Sequence, residues 1–495
     1  MAGGTLVRLI ERSLHSSSPG RTVIEGISGR EAAVIGTASK IGCSPGAALA
    51  LLLILLLVGV SPASGAGVRL VRDIVPGDTG SKPRVLVNVS GTLFFVAETR
   101  AHGAELWRSD GTRRGTRLVR DIVPGPVGSE VLRGREVAGT LFFLANDGIH
   151  GRELWRSDGT AAGTRLVRDI KPGSGSSHYR WAWGQDAATL GGTLLFTAND
   201  GVHGWELWRS DGTEAGTTLV RDIFPGREPV DFGPAGLSTI GDAVLFATDD
   251  GVHGHELWRS DGTEAGTTLV RDIRPGPVSS GGGWPVTEMD GTQFLAANDG
   301  LFGHELWRSD GTEAGTTLVR DIAPGRRGSL EPALKEVAGT LFLSADDGEH
   351  GFELWRSDGT ASGTRLVRDI VQGRRGASPG RFTAADELLF FTHFTGDRLF
   401  RSDGTRAGTK SVGYFDYYLG KLASVGGILF FPGEKPLYNR ELWRSDGTRA
   451  GTRRVRDIKP GRRGSSPSSL TPVGDTLFFA AGEGTHGREL WKAVP

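Results

Sequence analysis

The sequence predicts an all-β fold: a closed β-propeller of about nine four-stranded repeat units. Three observations carry this. The segment ELWRSDGTEAGTTLVRDI stands unbroken at 206–223, 256–273 and 305–322, and close variants occur at 105–122, 153–170, 353–370 and 441–458. Successive copies of its second half begin 43 to 53 residues apart, which suits a four-stranded blade. The ends of the repeat region are complementary. It opens on a second-half strand, Val68–Ile74, and stops on a first-half strand, Glu489–Lys492. In an open solenoid both halves would be exposed edges that invite aggregation, whereas in a ring they pair. Nine copies of each half give nine blades; eight, or a split into two rings, is the alternative count.

Each element of the unit has its own reason. Glu-Leu-Trp-Arg is a short strand, Leu-Val-Arg-Asp-Ile is a β-branched one, and Ser-Asp-Gly-Thr-x-x-Gly-Thr between them supplies hairpin turn chemistry. Pro-Gly then ends pairing, as at Pro124-Gly125 and Pro225-Gly226. A run such as Gly139–Phe143 is apolar without alternation, as expected of a strand covered on both faces. A loop such as Asn199–Gly204 returns the chain to the next Glu-Leu-Trp. Trp107, Trp155, Trp208, Trp258, Trp307, Trp355, Trp443 and Trp491 hold one motif position, with Phe400 in the ninth place. A flat side chain copied into every unit points to packing between blades.

These motifs resemble the bacterial ELWxxDGT repeat family, and the match covers about residues 68–492. The resemblance implies an extracytoplasmic repeat protein with a β-propeller fold. It brings no reaction and no catalytic residues.

Two domains are expected: a leader over 1–66 and one propeller over 67–495. Ala47–Val60 is apolar, preceded by Lys40 and followed by the small residues of 61–66, the pattern of a secretory signal. The run is short for a membrane span of about 20 residues. A retained signal anchor and a start further in are the alternatives. Cys43, the one cysteine, precedes the apolar run, so cleavage after Gly65 or Ala66 leaves a chain without disulfides. The 77 glycines are turn punctuation. A formal net charge of zero argues against a nucleic-acid partner.

Candidate chemistry falls into repeated and unrepeated groups. Asp110, Asp158, Asp211, Asp261, Asp310, Asp358, Asp403 and Asp446 precede Gly-Thr in the hairpins. They are the calcium candidates, although an Asp in this setting also bonds its own turn. His102, His150, His203, His253, His350 and His486 recur before Gly. Equivalent positions in neighbouring blades lie about 10 Å or more apart, too far to share one metal. Arg and Asp of the second strand, as at Arg120-Asp121, are expected to form cross-strand ion pairs. Arg326-Arg327, Arg374-Arg375 and Arg462-Arg463 form either a basic rim or solvated loops. No nucleophile, zinc or phosphate-loop motif occurs.

Function is expected where the repeat breaks. Unit three carries the insert Ser174–Leu190, with Tyr179, Trp181 and Trp183. Units seven and eight lose the consensus and hold Tyr414, Tyr417, Tyr418 and Tyr438. Aromatic loops suit glycan or protein ligands. The expectation is a monomeric, non-enzymatic, secreted or cell-envelope binding and adhesion scaffold, without membrane insertion after signal cleavage. The alternative is a polysaccharide-active hydrolase or lyase with a site on the propeller axis.

Overall fold

The chain's structure, a computed structural model, describes residues 67–178, 187–226, 233–281, 287–416, 419–435 and 438–495; the expected leader at 1–66 lies outside them. The described residues contain strands and turns and no helix, so none that could cross a membrane.

Numbered in chain order, the strands of blade one are β2 (Arg84–Val89), β3 (Thr92–Thr99), β4 (Gly103–Ser109) and β5 (Arg117–Arg120). They pair antiparallel in that order. Nine four-stranded sheets of this kind form a ring, a nine-bladed β-propeller. The first strand of each blade is innermost: β2 lies against both β6 (Leu132–Val137) of blade two and β34 (Ser468–Val473) of blade nine. The apolar run is the second strand. In β3 it is buried at five consecutive positions, Leu93 to Ala97, because neighbouring blades cover both its faces.

The ends close the ring as the complementary half-motifs predict. Blade nine takes three strands from the C-terminal end, β34, β35 (Thr476–Glu483) and β36 (Gly487–Ala493), and its outermost strand, β1 (Arg69–Arg72), from the N-terminal side. The register pairs Arg69 with Lys492, Leu70 with Trp491 and Arg72 with Leu490.

The core consists of interblade clusters, and the tryptophans fill them. Trp107 of blade one packs with Val473, Phe478 and Leu490 of blade nine, and Trp155 of blade two packs with Phe94, Val96 and Leu106 of blade one. Phe400, standing where Trp is otherwise found, stacks on Phe391 at 5.3 Å and packs against Phe342 and Leu354 of blade six.

Strand direction divides the loops between two faces. Turns from first to second strand and from third to fourth strand (the SDGT hairpins) lie on one, the hairpin face. Loops from second to third strand, and from each fourth strand to the next blade's first, lie on the other, the loop face.

Candidate interaction face

The hairpin face is closed chemistry. In blade one, Asp110 Oδ1 accepts from Thr112 N at 2.8 Å and Thr112 Oγ1 at 2.7 Å. Ser109 Oγ accepts from Gly111 N at 3.0 Å and shares a hydrogen bond with Thr116 Oγ1 at 2.7 Å. A Cβ on Gly115 would stand 2.0 Å from Asp110 Oδ1, so only glycine fits there. The same bonds recur around Asp158, Asp211, Asp261, Asp310, Asp358, Asp403 and Asp446. The threonine hydroxyl holds Asp110 below the usual carboxylate range. Each Asp proposed for calcium thus has one oxygen engaged by its own turn. Among the described residues no three His, Cys, Asp or Glu converge as a metal would require.

In blades one, two, three, five and six, two arginines grip the following hairpin. Arg221 donates to Thr267 O at 2.5 Å, with its guanidinium 5.9 Å from the Trp258 ring. Arg209 donates to Gly262 O at 3.0 Å. The arginines of Leu-Val-Arg-Asp-Ile, which supplies the fourth strand of a blade, therefore differ from the expected cross-strand ion pairs with Asp. Their partner is a carbonyl and a ring of the next blade, one hydrogen bond from the guanidinium edge and one contact of the cation with the ring face. Arg456 repeats the grip across the closure, donating to Val68 O at 2.7 Å.

The loop face is organised by a carboxylate that motif reading passed over, the Glu of Glu-Leu-Trp. Glu105, Glu153, Glu206, Glu256, Glu305, Glu353, Glu441 and Glu489 are all at most 1% exposed. Glu153 is typical. Its oxygens accept from Ile170 N at 3.1 Å, Ser177 N at 3.0 Å and Ser177 Oγ at 2.6 Å. Asn199 N of blade three then donates to Ser177 O, so one carboxylate pins the crossing from blade two to blade three. Burial pushes Glu153, Glu206, Glu305 and Glu353 up to about 7 against the ordinary 4.5, outweighing the hydrogen bonds that favour the ionised form. Glu105, Glu256, Glu441 and Glu489 rise for the same reason.

The histidines bond locally. His150, His203, His253 and His350 place Nδ1 at 2.7–2.8 Å from the Asp three residues earlier, and His102 reaches Asp121 at 2.7 Å. His486 bonds Glu483 in the same manner. The Asp147 carboxylate raises His150 above its usual value.

Blade seven is where the pattern breaks. Arg398 replaces the buried Glu, and the crossing to blade eight is held by apolar packing: Phe415 and Leu419 are fully buried with Leu422, Phe431 and Trp443. Tyr414 ends the outermost strand of blade seven on the loop face, 55% exposed, with the Arg398 guanidinium 5.8 Å from its ring. The backbone of Tyr438 opens the third strand of blade eight opposite Lys435. Tyr179, Trp181, Trp183, Tyr417 and Tyr418 lie outside the described residues.

No protein-family model and no curated relative matches the chain. Solved structures resemble it in fold at low identity. A computationally designed protein is 16% identical with a TM-score of 0.42, covering 77% of this chain and 98% of that one. A puromycin hydrolase is 16% identical at 0.36, covering 72% of this chain, which spans 59% of the hydrolase. Virginiamycin B lyase from Staphylococcus aureus is 15% identical at 0.34, covering 63% of this chain and 95% of the lyase.

Proposed function

We propose that this chain is a non-enzymatic, extracytoplasmic binding and adhesion scaffold of the ELWxxDGT type. It takes a glycan or protein ligand at the aromatic residues that interrupt the repeat. One observation supports this best: the repeated polar groups are engaged in the ring itself. The glutamates hold blade crossings, the hairpin aspartates hold turns, and the fourth-strand arginines hold the next blade. A catalytic set would have to come from unrepeated residues, and among those the exposed Tyr414 beside Arg398 is the kind of surface that recognises a ligand by stacking.

The test is thermal melting of the chain against a glycan panel, with calcium and with chelator, using wild type and a variant with Trp181, Trp183, Tyr414, Tyr417 and Tyr418 changed to alanine. One glycan class should raise the wild-type midpoint by mass action. The variant should bind it at least about thirtyfold more loosely, the loss of one strong aromatic contact. The recovered glycan should be intact. Unchanged binding in the variant overturns the aromatic site. Cleaved glycan overturns the non-enzymatic reading. A fall in midpoint with chelator adds calcium to the hairpins.

A further inference from the structure

The loop face carries a second feature that ligand recognition at the aromatic breaks does not use. At the tip of the loop between second and third strands, blades two to five expose a branched aliphatic side chain. These are Ile149, 68% exposed, Val202, 60%, Val252, 63%, and Leu301, 63%. Two crossings add Val127, 73% exposed, over blade one and Val278, 51%, over blade four. Because the position is the same in each blade, the ring sets the four tips at one height along an arc. In blades one, six and nine the equivalent residue is Ala101, Glu349 or Thr485, and in blade seven the same loop exposes Phe394, 55%.

The tips are not a continuous patch. Neighbouring blades place them about 10 Å or more apart. Between them stand the His–Asp pairs, whose carboxylates are satisfied: Asp200 Oδ1 accepts from Val202 N and His203 N, and Oδ2 meets His203 Nδ1. A rigid protein partner would have to dehydrate those polar groups to cover the tips. A fluid apolar phase fills around each tip separately and leaves the polar ground hydrated.

Charge completes the pattern. Beyond the arc, the crossings of blades five, six and eight expose Arg326, Arg327, Arg374, Arg375, Arg462 and Arg463 on the same face. Of these, Arg327 is engaged with Asp346 at 3.0 Å. Aliphatic tips beside arginines on one face match the interfacial region of an anionic bilayer. Apolar groups enter the acyl boundary there, and cations meet phosphate.

We propose that the loop face docks peripherally on an anionic lipid surface. Ile149, Val202, Val252 and Leu301 act as inserting tips, and Arg326, Arg374, Arg375, Arg462 and Arg463 as headgroup contacts. No strand enters the bilayer. This goes beyond the glycan or protein ligand proposed above and does not depend on it.

The test is flotation of the full chain with vesicles of phosphatidylglycerol and phosphatidylcholine in equal parts, against vesicles of phosphatidylcholine alone. Residues 1–66 contain an apolar run that could itself bind lipid, so the comparison is between full chains that share it. Changing Ile149, Val202, Val252 and Leu301 together to serine should lower partitioning at least about tenfold. Because all four are exposed, the melting midpoint should be unchanged. Changing Arg326, Arg374 and Arg462 to serine should cost the preference for anionic vesicles about fivefold per arginine. A polarity-sensitive fluorophore on Val202→Cys, in a Cys43→Ser background, should shift to the blue on the vesicles. The same label on Glu264→Cys, on the hairpin face, should not. Equal partitioning of the serine variant, or a shift at 264 and none at 202, overturns the proposal. So does tip-dependent binding to a protein with no binding to vesicles.

Discussion

Glu489→Ala is expected to destabilise the ring by about 3 kcal/mol or more, since each donor it strands costs about 1–3 kcal/mol. Glu489 is fully buried in the last strand. Its carboxylate accepts from Val75 N at 3.1 Å, Ser81 N at 2.8 Å and Ser81 Oγ at 2.5 Å. Those donors sit more than 400 residues away in sequence, just beyond β1. Alanine leaves all three without an acceptor, two of them on the fully buried Ser81. The equivalent change at Glu153 strands similar donors, but within a continuous stretch of chain. Glu489→Ala should therefore also loosen closure, so amide exchange at 69–72 should accelerate more than in Glu153→Ala. Denaturant melts and hydrogen exchange measure both effects. A loss below about 1 kcal/mol, with exchange at 69–72 unchanged, would mean that the carboxylate does not hold the ends.

The ring is also expected to weaken as pH rises through the neutral range, opposite to the common acid sensitivity of proteins. For a carboxyl whose folded pKa lies above its unfolded value, the folded state binds the proton more tightly. Its contribution is complete below about 4.5 and is lost as pH climbs to about 7. Four glutamates stand at about 7, and a shift of that size on one group is worth about 3 kcal/mol. His150, His203 and His350, raised by their Asp partners, act in the same direction near neutrality. The hairpin aspartates, held below 3.8, oppose the trend only in stronger acid. Denaturant midpoints should thus be higher at about pH 5 than at about pH 8, by at least about 3 kcal/mol in unfolding free energy. Glu206→Gln with Glu353→Gln should flatten the slope. A stability that rises from pH 5 to pH 8 would contradict this.

Much of the fold could be read from residue types, because the repeat writes each role several times. Trp107 and its copies announce an apolar seam, and the split motif at Val68–Ile74 and Glu489–Lys492 announces the closure. The buried glutamates were hidden because a charged residue opening a strand looks solvent-facing. A signal was present: a serine lies 24 residues after Glu105, Glu153, Glu256, Glu305 and Glu441, and it is the hydroxyl each carboxylate holds or the amide it accepts. The arginine grip was not legible at all. Its acceptors, such as Thr164 O for Arg120 and Thr217 O for Arg168, are backbone carbonyls 44 and 49 residues away, and a carbonyl leaves no mark on residue type. In blade seven the loss of Glu was visible as Arg398, but its replacement by Phe415 and Leu419 depended on packing that sequence spacing does not encode.

Ring closure supports everything else, since it brings the nine blades into one ring with a common loop face. The direct test is a cross-link across the closing pair. Arg69 and Lys492 are register partners in adjacent antiparallel strands, whose Cα separation of about 4.5–5.5 Å suits a disulfide. In a Cys43→Ser background, Arg69→Cys with Lys492→Cys should oxidise to an intramolecular disulfide in nearly every molecule. The midpoint should rise and revert on reduction. Free thiols after oxidation, or disulfides formed only between molecules, would mean that the two terminal strands do not meet and that the ring is open.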